Sequence, residues 1–386
     1  MRDSITSINR RSLLAGTAAL AGLSVAASGK ALARSSSAWD HIDNAARQMI
    51  ADRMSPGIAI SVMREGEFLY SKGHGFLNLE TRTPMTAQSV FRIASITKQM
   101  IAASLLRLQE QGLLSVQDLL SQYFPTFERA DEITLYQLAT HTAGLGNYAR
   151  LPSRPMDQAI EYDDASFLEL LTRTDPLFVA EPGAEENYSN TGYGLLGLVI
   201  NQVAGTHYGQ FLQSQFFDPL GLNDTRYDHQ FEVVPNRVSG YSPWQIMASG
   251  FANADHVSSG YPGPSGAVRS TSEDLCRWHQ ALVFGDLLQP ETYAQMTAPV
   301  PLPGGTSYYG MGVRTVFSRE PFSGRNVISH GGRLSGFATD LWSFPDAGVT
   351  VSVLCNSDGG DQSEFGAAFD SVRDPATQIA LGEFSQ

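Results

Sequence analysis

The pair with the clearest chemical potential is Ser95 and Lys98, in the run Phe91-Arg92-Ile93-Ala94-Ser95-Ile96-Thr97-Lys98. A serine hydroxyl is a weak nucleophile until a neighbouring base takes its proton. A lysine can be that base only when neutral, which at pH 7 needs a shift of roughly 3 units from an ordinary pKa of about 10.4. Burial or nearby cations supply such a shift. Ser-x-x-Lys also occurs on exposed helices with no chemistry at all. Here the chain has only three lysines, Lys30, Lys72 and Lys98. Its other cations are arginines, which cannot accept a proton. No second Ser-x-x-Lys occurs in the chain.

Two further stretches carry usable groups. In Glu181-Pro182-Gly183-Ala184-Glu185-Glu186-Asn187-Tyr188-Ser189-Asn190, Tyr188 could hold or relay a proton. Asn190 could bind a substrate carbonyl or steady Lys98. The alternative is a helix N-cap at Ser189 or Asn190, with Tyr188 as packing. In Ser329-His330-Gly331-Gly332-Arg333, glycines at a strand edge admit a substrate backbone and can offer an N–H to an oxyanion. His330 is then either a polar or weakly cationic group in a cleft, or a structural histidine. Gly192-x-Gly194-x-x-Gly197 matches the dinucleotide-binding pattern in letters only, because it follows Glu185-Glu186-Asn187 rather than an apolar strand. Gly194 and Gly197 are expected to let a helix pack closely. His141 and the other histidines show no metal-ligand spacing, so neither a metal nor a cofactor is expected. No Gly-x-Ser-x-Gly elbow occurs.

The elements that must position these groups follow from periodicity. After Ser95, apolar residues recur at Ile96, Met100, Ile101, Leu105 and Leu108, predicting a helix with one buried face that stops at Gly112. Side chains three apart share a helix face, so Ser95 and Lys98 meet. A helix over 38–54 and a hairpin of Ile58–Met63 with Phe68–Ser71 precede it. Residues 113–215 are expected to be mostly helical, over Leu135–Thr140, Ala165–Thr172, Gly194–Val203 and Tyr208–Phe216. Residues 227–265, rich in Gly, Ser, Tyr and Pro, are expected to form a long surface loop. A helix over Asp274–Leu282 follows. Strands are expected at Tyr309–Val316, Asn326–Ser329, Phe337–Phe344 and Val349–Asn356, then a helix over Glu364–Leu381. Strands, then helices, then strands is not the alternation of a parallel α/β sheet. It predicts an α+β fold: an antiparallel sheet from both chain ends (38–95 and 266–386) flanked by helices, with a mostly helical insert (96–265). Ser95 falls at their junction.

The formal charge is −13 over 386 residues. Such acidity argues against nucleic acid and anionic lipid as partners. Asn9-Arg10-Arg11-Ser12, an apolar run over 13–27 and Ala31-Leu32-Ala33 form a twin-arginine export signal over 1–33 with a cleavage site. A Sec signal is the alternative. The run is too short to span a bilayer, so no stable membrane anchor is expected and the mature 34–386 is placed in the periplasm or outside the cell. Cys276 and Cys355 both lie in apolar runs and are expected to be buried free thiols.

Ser-x-x-Lys, then Tyr-x-Asn, then His-x-Gly on a late strand resemble the three motifs of the penicillin-recognising serine hydrolases. Their spacing resembles the branch of class C β-lactamases and D-alanyl-D-alanine carboxypeptidases, which also holds esterases and D-amino-acid peptidases or amidases. Ile133–Leu145, Pro219–Thr225 and Ser265–Leu275 look like the same family. The resemblance implies a β-lactamase/transpeptidase-like fold. It implies that Ser95 is acylated, with Lys98 and Tyr188 sharing the proton work and Asn190 orienting substrate and Lys98. His330 and Gly332 line the strand edge, and the backbone N–H groups of Ser95 and Arg333 form the oxyanion hole. The family's lysine-threonine-glycine is here His330-Gly331-Gly332, which weakens the anchor for a substrate carboxylate unless the Arg333 side chain faces the cleft. The expected enzyme is an exported esterase, amidase or peptidase acting on a small molecule or short peptide. A β-lactamase or carboxypeptidase, and a non-catalytic penicillin-binding or cell-wall sensor protein, are the alternatives.

Overall fold

A computed structural model of the chain describes residues 38–150, 158–244, 246–316, 320–359 and 362–384. The export signal expected over 1–33 lies outside them.

β-Branched and apolar residues alternating along Gly57–Arg64, Phe337–Phe344 and Val349–Cys355 build the centre of a seven-stranded sheet. Its order is Arg314–Val316, Asn326–Leu334, Phe337–Phe344, Val349–Cys355, Gly57–Arg64, Glu67–Asn78 and Thr83–Pro84, every pair antiparallel. The first strand thus pairs with the last, Ile58 opposite Cys355 and Ile60 opposite Val353. Strand alternation gives each face its own core. Ile58, Ile60, Val62, Val351 and Val353 pack with Ile42, Met49, Phe365 and Phe369 of two helices, 38–51 and Gln362–Leu381. Each such fully buried side chain contributes about 1.5–3 kcal/mol.

The opposite face carries Ala59, Leu341 and Leu354 into the larger core. Against it lies the helix Ser272–Val283, capped by Thr271, whose side chain accepts from Asp274 N–H. A polar seam runs under this helix. Ser61 Oγ meets Ser272 Oγ at 2.8 Å. Gln99 Oε1 accepts from Trp278 Nε1 at 2.9 Å and lies 2.8 Å from His279 Nε2, while His279 Nδ1 lies 2.8 Å from Ser343 Oγ. Cys276 sits on this face and Cys355 on the other, and both are free and buried.

The helical region centres on Asn190–Ala204, buried from Thr191 to Ile200. Its glycines serve packing, as expected. A Cβ at Gly194 would stand 2.8 Å from Leu171 Cδ1, and one at Gly197 only 2.0 Å from Pro264 Cγ.

Two expectations change. Residues 227–265 are not one surface loop. Tyr241–Pro243 and Phe251–Asn253 pair as a small hairpin, and Val257, Ser258, Ser259 and Tyr261 turn inside. Their polar groups find partners there, Tyr148 Oη donating to the Tyr261 carbonyl at 2.6 Å. Of the strand expected at Tyr309–Val316 only Arg314–Val316 joins the sheet, because Gly312 turns the chain at φ +75° and folds Tyr309 back to bridge Arg314, with its side chain in the interior. A helix over Pro290–Thr297 had no periodic signal, although proline at its first position favours a helix start.

Candidate active site

Ser95 is the middle residue of a single 3₁₀ turn, Ala94–Ile96, which feeds the helix Thr97–Glu110. The turn is clamped from both sides. Ile93 N–H donates to the Val268 carbonyl at 3.0 Å, and the Ile93 carbonyl accepts from Thr339 Oγ1 at 3.0 Å. The clamp holds Ala94 at φ +49°, a left-handed conformation that costs a non-glycine residue on the order of 1–2 kcal/mol. The nucleophile candidate is thus presented on a strained turn rather than on a relaxed helix.

Lys98 lies one turn further on and is fully buried. Its Nζ lies 3.1 Å from Ser95 Oγ and donates to Asn190 Oδ1 at 2.7 Å and the Ser265 carbonyl at 2.9 Å. Removal from water holds its pKa well below the ordinary lysine value. The rings of Tyr188 and Tyr193 stand 4.8 and 5.4 Å from Nζ.

Asn190 is the first residue of its helix, and Ser189 is the cap, its Oγ accepting from Gly192 N–H at 3.4 Å. The two alternatives for this segment therefore coexist: Ser189 serves the helix end and leaves the Asn190 amide free for Lys98. Tyr188 precedes the cap. Burial pushes its phenol up to about 12, while a hydrogen bond with the Ser95 side chain works in the opposite direction.

His330, Gly332 and Arg333 lie on Asn326–Leu334. His330 is buried and saturated. Nδ1 lies 2.5 Å from the Gly331 carbonyl and must donate, which leaves Nε2 to accept from Tyr309 Oη at 2.9 Å. Burial and the Arg314 charge push its pKa down to about 3. It is a neutral group, not the weakly cationic one considered from sequence. Gly332 lies against the nucleophile turn, where a Cβ would stand 2.3 Å from the Ile93 carbonyl oxygen. Gly331 faces the other side of the strand, where a Cβ would meet Asp340 Oδ1 at 2.5 Å. Asp340 is paired with Arg373, so the space a threonine would need is filled. The Arg333 guanidinium stacks on Phe365 and Phe369 of the terminal helix, at 4.8 and 5.9 Å. It does not replace the missing anchor.

In front of Ser95 lies a cleft of about 250 Å³, lined by Asn190, Tyr148, Tyr261, Val257 and Leu334 among others. Among the described residues no carboxylate lines it, and Arg333 is the one charged residue that does. Sequence reasoning missed Tyr309, His141 and the Ser265 carbonyl. A main-chain acceptor leaves no mark in composition, and Tyr309 sat in an apparent strand. His141 was weighed only as a metal ligand. Among the described residues no His, Cys, Asp and Glu grouping suits a metal, and no helix is long and apolar enough to cross a membrane.

An antiparallel sheet with helices on both faces, and a serine–lysine–tyrosine cluster where it meets a helical region, is the architecture of the β-lactamase and penicillin-binding-protein fold. A family model described as Beta-lactamase matches residues 42–371, and the chain belongs to that family of serine hydrolases. Penicillin-binding protein 4* of Bacillus subtilis (strain 168) is 27% identical, across 78% of this chain and 68% of its own length. The D-aminopeptidase of Gluconobacter oxydans (strain 621H) is 26% identical across 78% of this chain, which spans 56% of that relative. Among solved structures, D-amino acid amidase from Ochrobactrum anthropi SV3, complexed with D-phenylalanine, superposes with a TM-score of 0.78. Its identity is 22%, covering 90% of this chain and all of that one. The octameric penicillin-binding protein homologue from Pyrococcus abyssi gives a TM-score of 0.74 at 25% identity, covering 89% and 77%.

Proposed function

We propose that this chain is an exported hydrolase of esters or amides, D-amino-acid derivatives included, acting through an acyl-enzyme on Ser95. The observation that carries the reading is the buried, desolvated Lys98 Nζ at 3.1 Å from Ser95 Oγ. Burial moves the two candidate bases apart. It drives Lys98 toward its neutral form and holds Tyr188 as a protonated phenol. Lys98 therefore takes the Ser95 proton as Oγ attacks the carbonyl carbon. Tyr188 passes a proton to the departing amine or alcohol and is reprotonated from Lys98. The backbone N–H groups of Ser95 and Arg333 hold the oxyanion, a single such donor being worth on the order of a hundredfold in rate. Water then repeats the sequence and frees the acid. Asn190 keeps Lys98 aligned throughout.

The lining of the cleft supports a substrate that carries no carboxylate. The His330 imidazole is neutral and the Arg333 guanidinium is turned onto the terminal helix, so neither offers a cation to a carboxylate. Tyr148, Tyr261, Val257 and Leu334 suit an apolar or aromatic acyl group. Efficient β-lactam hydrolysis is the weaker alternative.

The test is turnover by the purified enzyme of a short-chain p-nitrophenyl ester, a D-alanine p-nitroanilide, a D-alanyl-D-alanine peptide and a chromogenic cephalosporin. Ester or anilide cleavage without cephalosporin cleavage is expected. Ser95→Ala abolishes it with the fold intact, and Lys98→Arg fails too, because arginine keeps its proton. Turnover surviving in Ser95→Ala would refute the assignment.

A further inference from the structure

His141 grips the main chain on both sides of Tyr188. Its carbonyl accepts from Asn187 N–H at 2.7 Å, and its Nδ1 accepts from Ser189 N–H at 3.2 Å. The His141 and Tyr188 rings lie 4.3 Å apart, tilted by 47°. This grip is maintained at a cost. His141 holds φ +60°, a left-handed backbone that a residue with a Cβ rarely adopts. Because Nδ1 accepts, the ring proton sits on Nε2, which is buried without a hydrogen-bond partner. That N–H is walled in by the rings of Tyr188, Tyr193 and Tyr309, the last two at 5.2 and 4.6 Å. Burial and the Arg314 charge keep the imidazole neutral. A strained backbone and an unpaired donor at one residue beside a reactive cluster point to function rather than to stability.

We propose that His141 is the positioning residue that fixes the Tyr188 phenol relative to Ser95 and Lys98, with its Nδ1 lone pair as the working group. The inference rests on Ser95 being the nucleophile. The group needed at 141 must accept a hydrogen bond from Ser189 N–H and tolerate the left-handed backbone. Asparagine meets both conditions, since its side-chain oxygen occupies the place of Nδ1. Phenylalanine keeps the ring and loses the acceptor. Without the acceptor the Ser189 N–H is buried unpaired and the Tyr188–Asn190 segment shifts. A displacement of about 1 Å at a reacting group costs about a hundredfold in rate.

The experiment compares His141→Asn and His141→Phe in the purified enzyme, reading kcat and KM on a p-nitrophenyl ester and cooperative melting by circular dichroism. His141→Asn is expected to stay within about threefold of native kcat, and His141→Phe to lose about a hundredfold in kcat with KM little changed. If His141→Phe does not fold, His141→Ala takes its place with the same expectation. A phenylalanine or alanine variant with native kcat overturns the proposal, as does an asparagine variant that falls as far as either. Ser95→Ala measured alongside separates the two readings. Residual turnover there removes the nucleophile itself, whereas an inert Ser95→Ala beside a fully active His141→Phe removes only the role of His141.

Discussion

Lys98 has three polar partners, and none of them is a carboxylate. A partner anion would have stabilised the ammonium, whereas an amide, a hydroxyl and a carbonyl leave desolvation in control. The neutral fraction of Lys98 rises tenfold per pH unit up to its depressed pKa, so kcat/KM should climb with a slope near one and level well below the ordinary value of about 10.4. His330 titrates near 3 and adds no inflection between pH 5 and 8. His330→Gln should change the height of the profile and leave its inflection in place. A pH series on native and variant enzyme checks this, and an acid limb that moves with the histidine would assign it there instead. The serine and lysine were legible in sequence because their meeting needs only one helical turn. Tyr188 and Asn190 were legible as a pair but not in their division of labour, which the cap at Ser189 decides. Tyr309 was not legible, since its hydroxyl finds His330 through a turn that no local pattern announces.

At the scale of elements, the site is a junction between a strained turn and a strand lacking side chains at its contact. Gly332 brings the strand to within contact of Ile93 and Ala94. Gly332→Ala forces a Cβ into the Ile93 carbonyl and Thr339 Oγ1, so it should destabilise by about 1–3 kcal/mol and depress kcat more than KM. Gly331→Thr tests a different point. Its side chain would project at Asp340 and strain the Asp340–Arg373 pair without reaching the cleft. It should melt earlier and gain no cephalosporin turnover, measured with a chromogenic cephalosporin; a gain would mean that the strand rotates to present the hydroxyl. Helices and strands with clean periodicity were legible in the sequence, and Phe337–Phe344 matches residue for residue. The 227–265 segment was misjudged because its polarity looks solvent-directed, whereas its hydroxyls and carbonyls are paired inside.

Over the whole molecule, three histidines are buried and neutral: His141, His279 and His330. Each has a folded pKa below its unfolded value of about 6.5, so the unfolded chain binds the extra protons as the medium acidifies. Their contribution to stability is complete above pH 6.5 and is lost as pH falls below it, for His279 and His330 down to about 3, at up to about 1.4 kcal/mol per unit for each group. Most ordinary carboxylates titrate lower, so a fall in urea midpoint between pH 7 and 5 reports on these imidazoles together with His74, His207 and Lys98, whose pKa values burial also lowers. His279→Gln, which touches none of Ser95, Lys98 and Tyr188 but is still able to bond Gln99 or Ser343, should reduce that slope; an unchanged slope would place the acid sensitivity elsewhere.

The sheet pairs its first strand with its last. Such non-local pairing is slow to form, because the loop between the partners must close before any contact rewards it. A chain growing from its N-terminus carries Ser95 and Lys98 long before Gly57–Arg64 has Val349–Cys355 to lie against, and before the strand bearing Gly332 exists. Unfinished or truncated copies are therefore expected to be inert toward esters and amides. The covalent order of the chain thus ties the assembly of the Ser95 site to the synthesis of its last sheet strands.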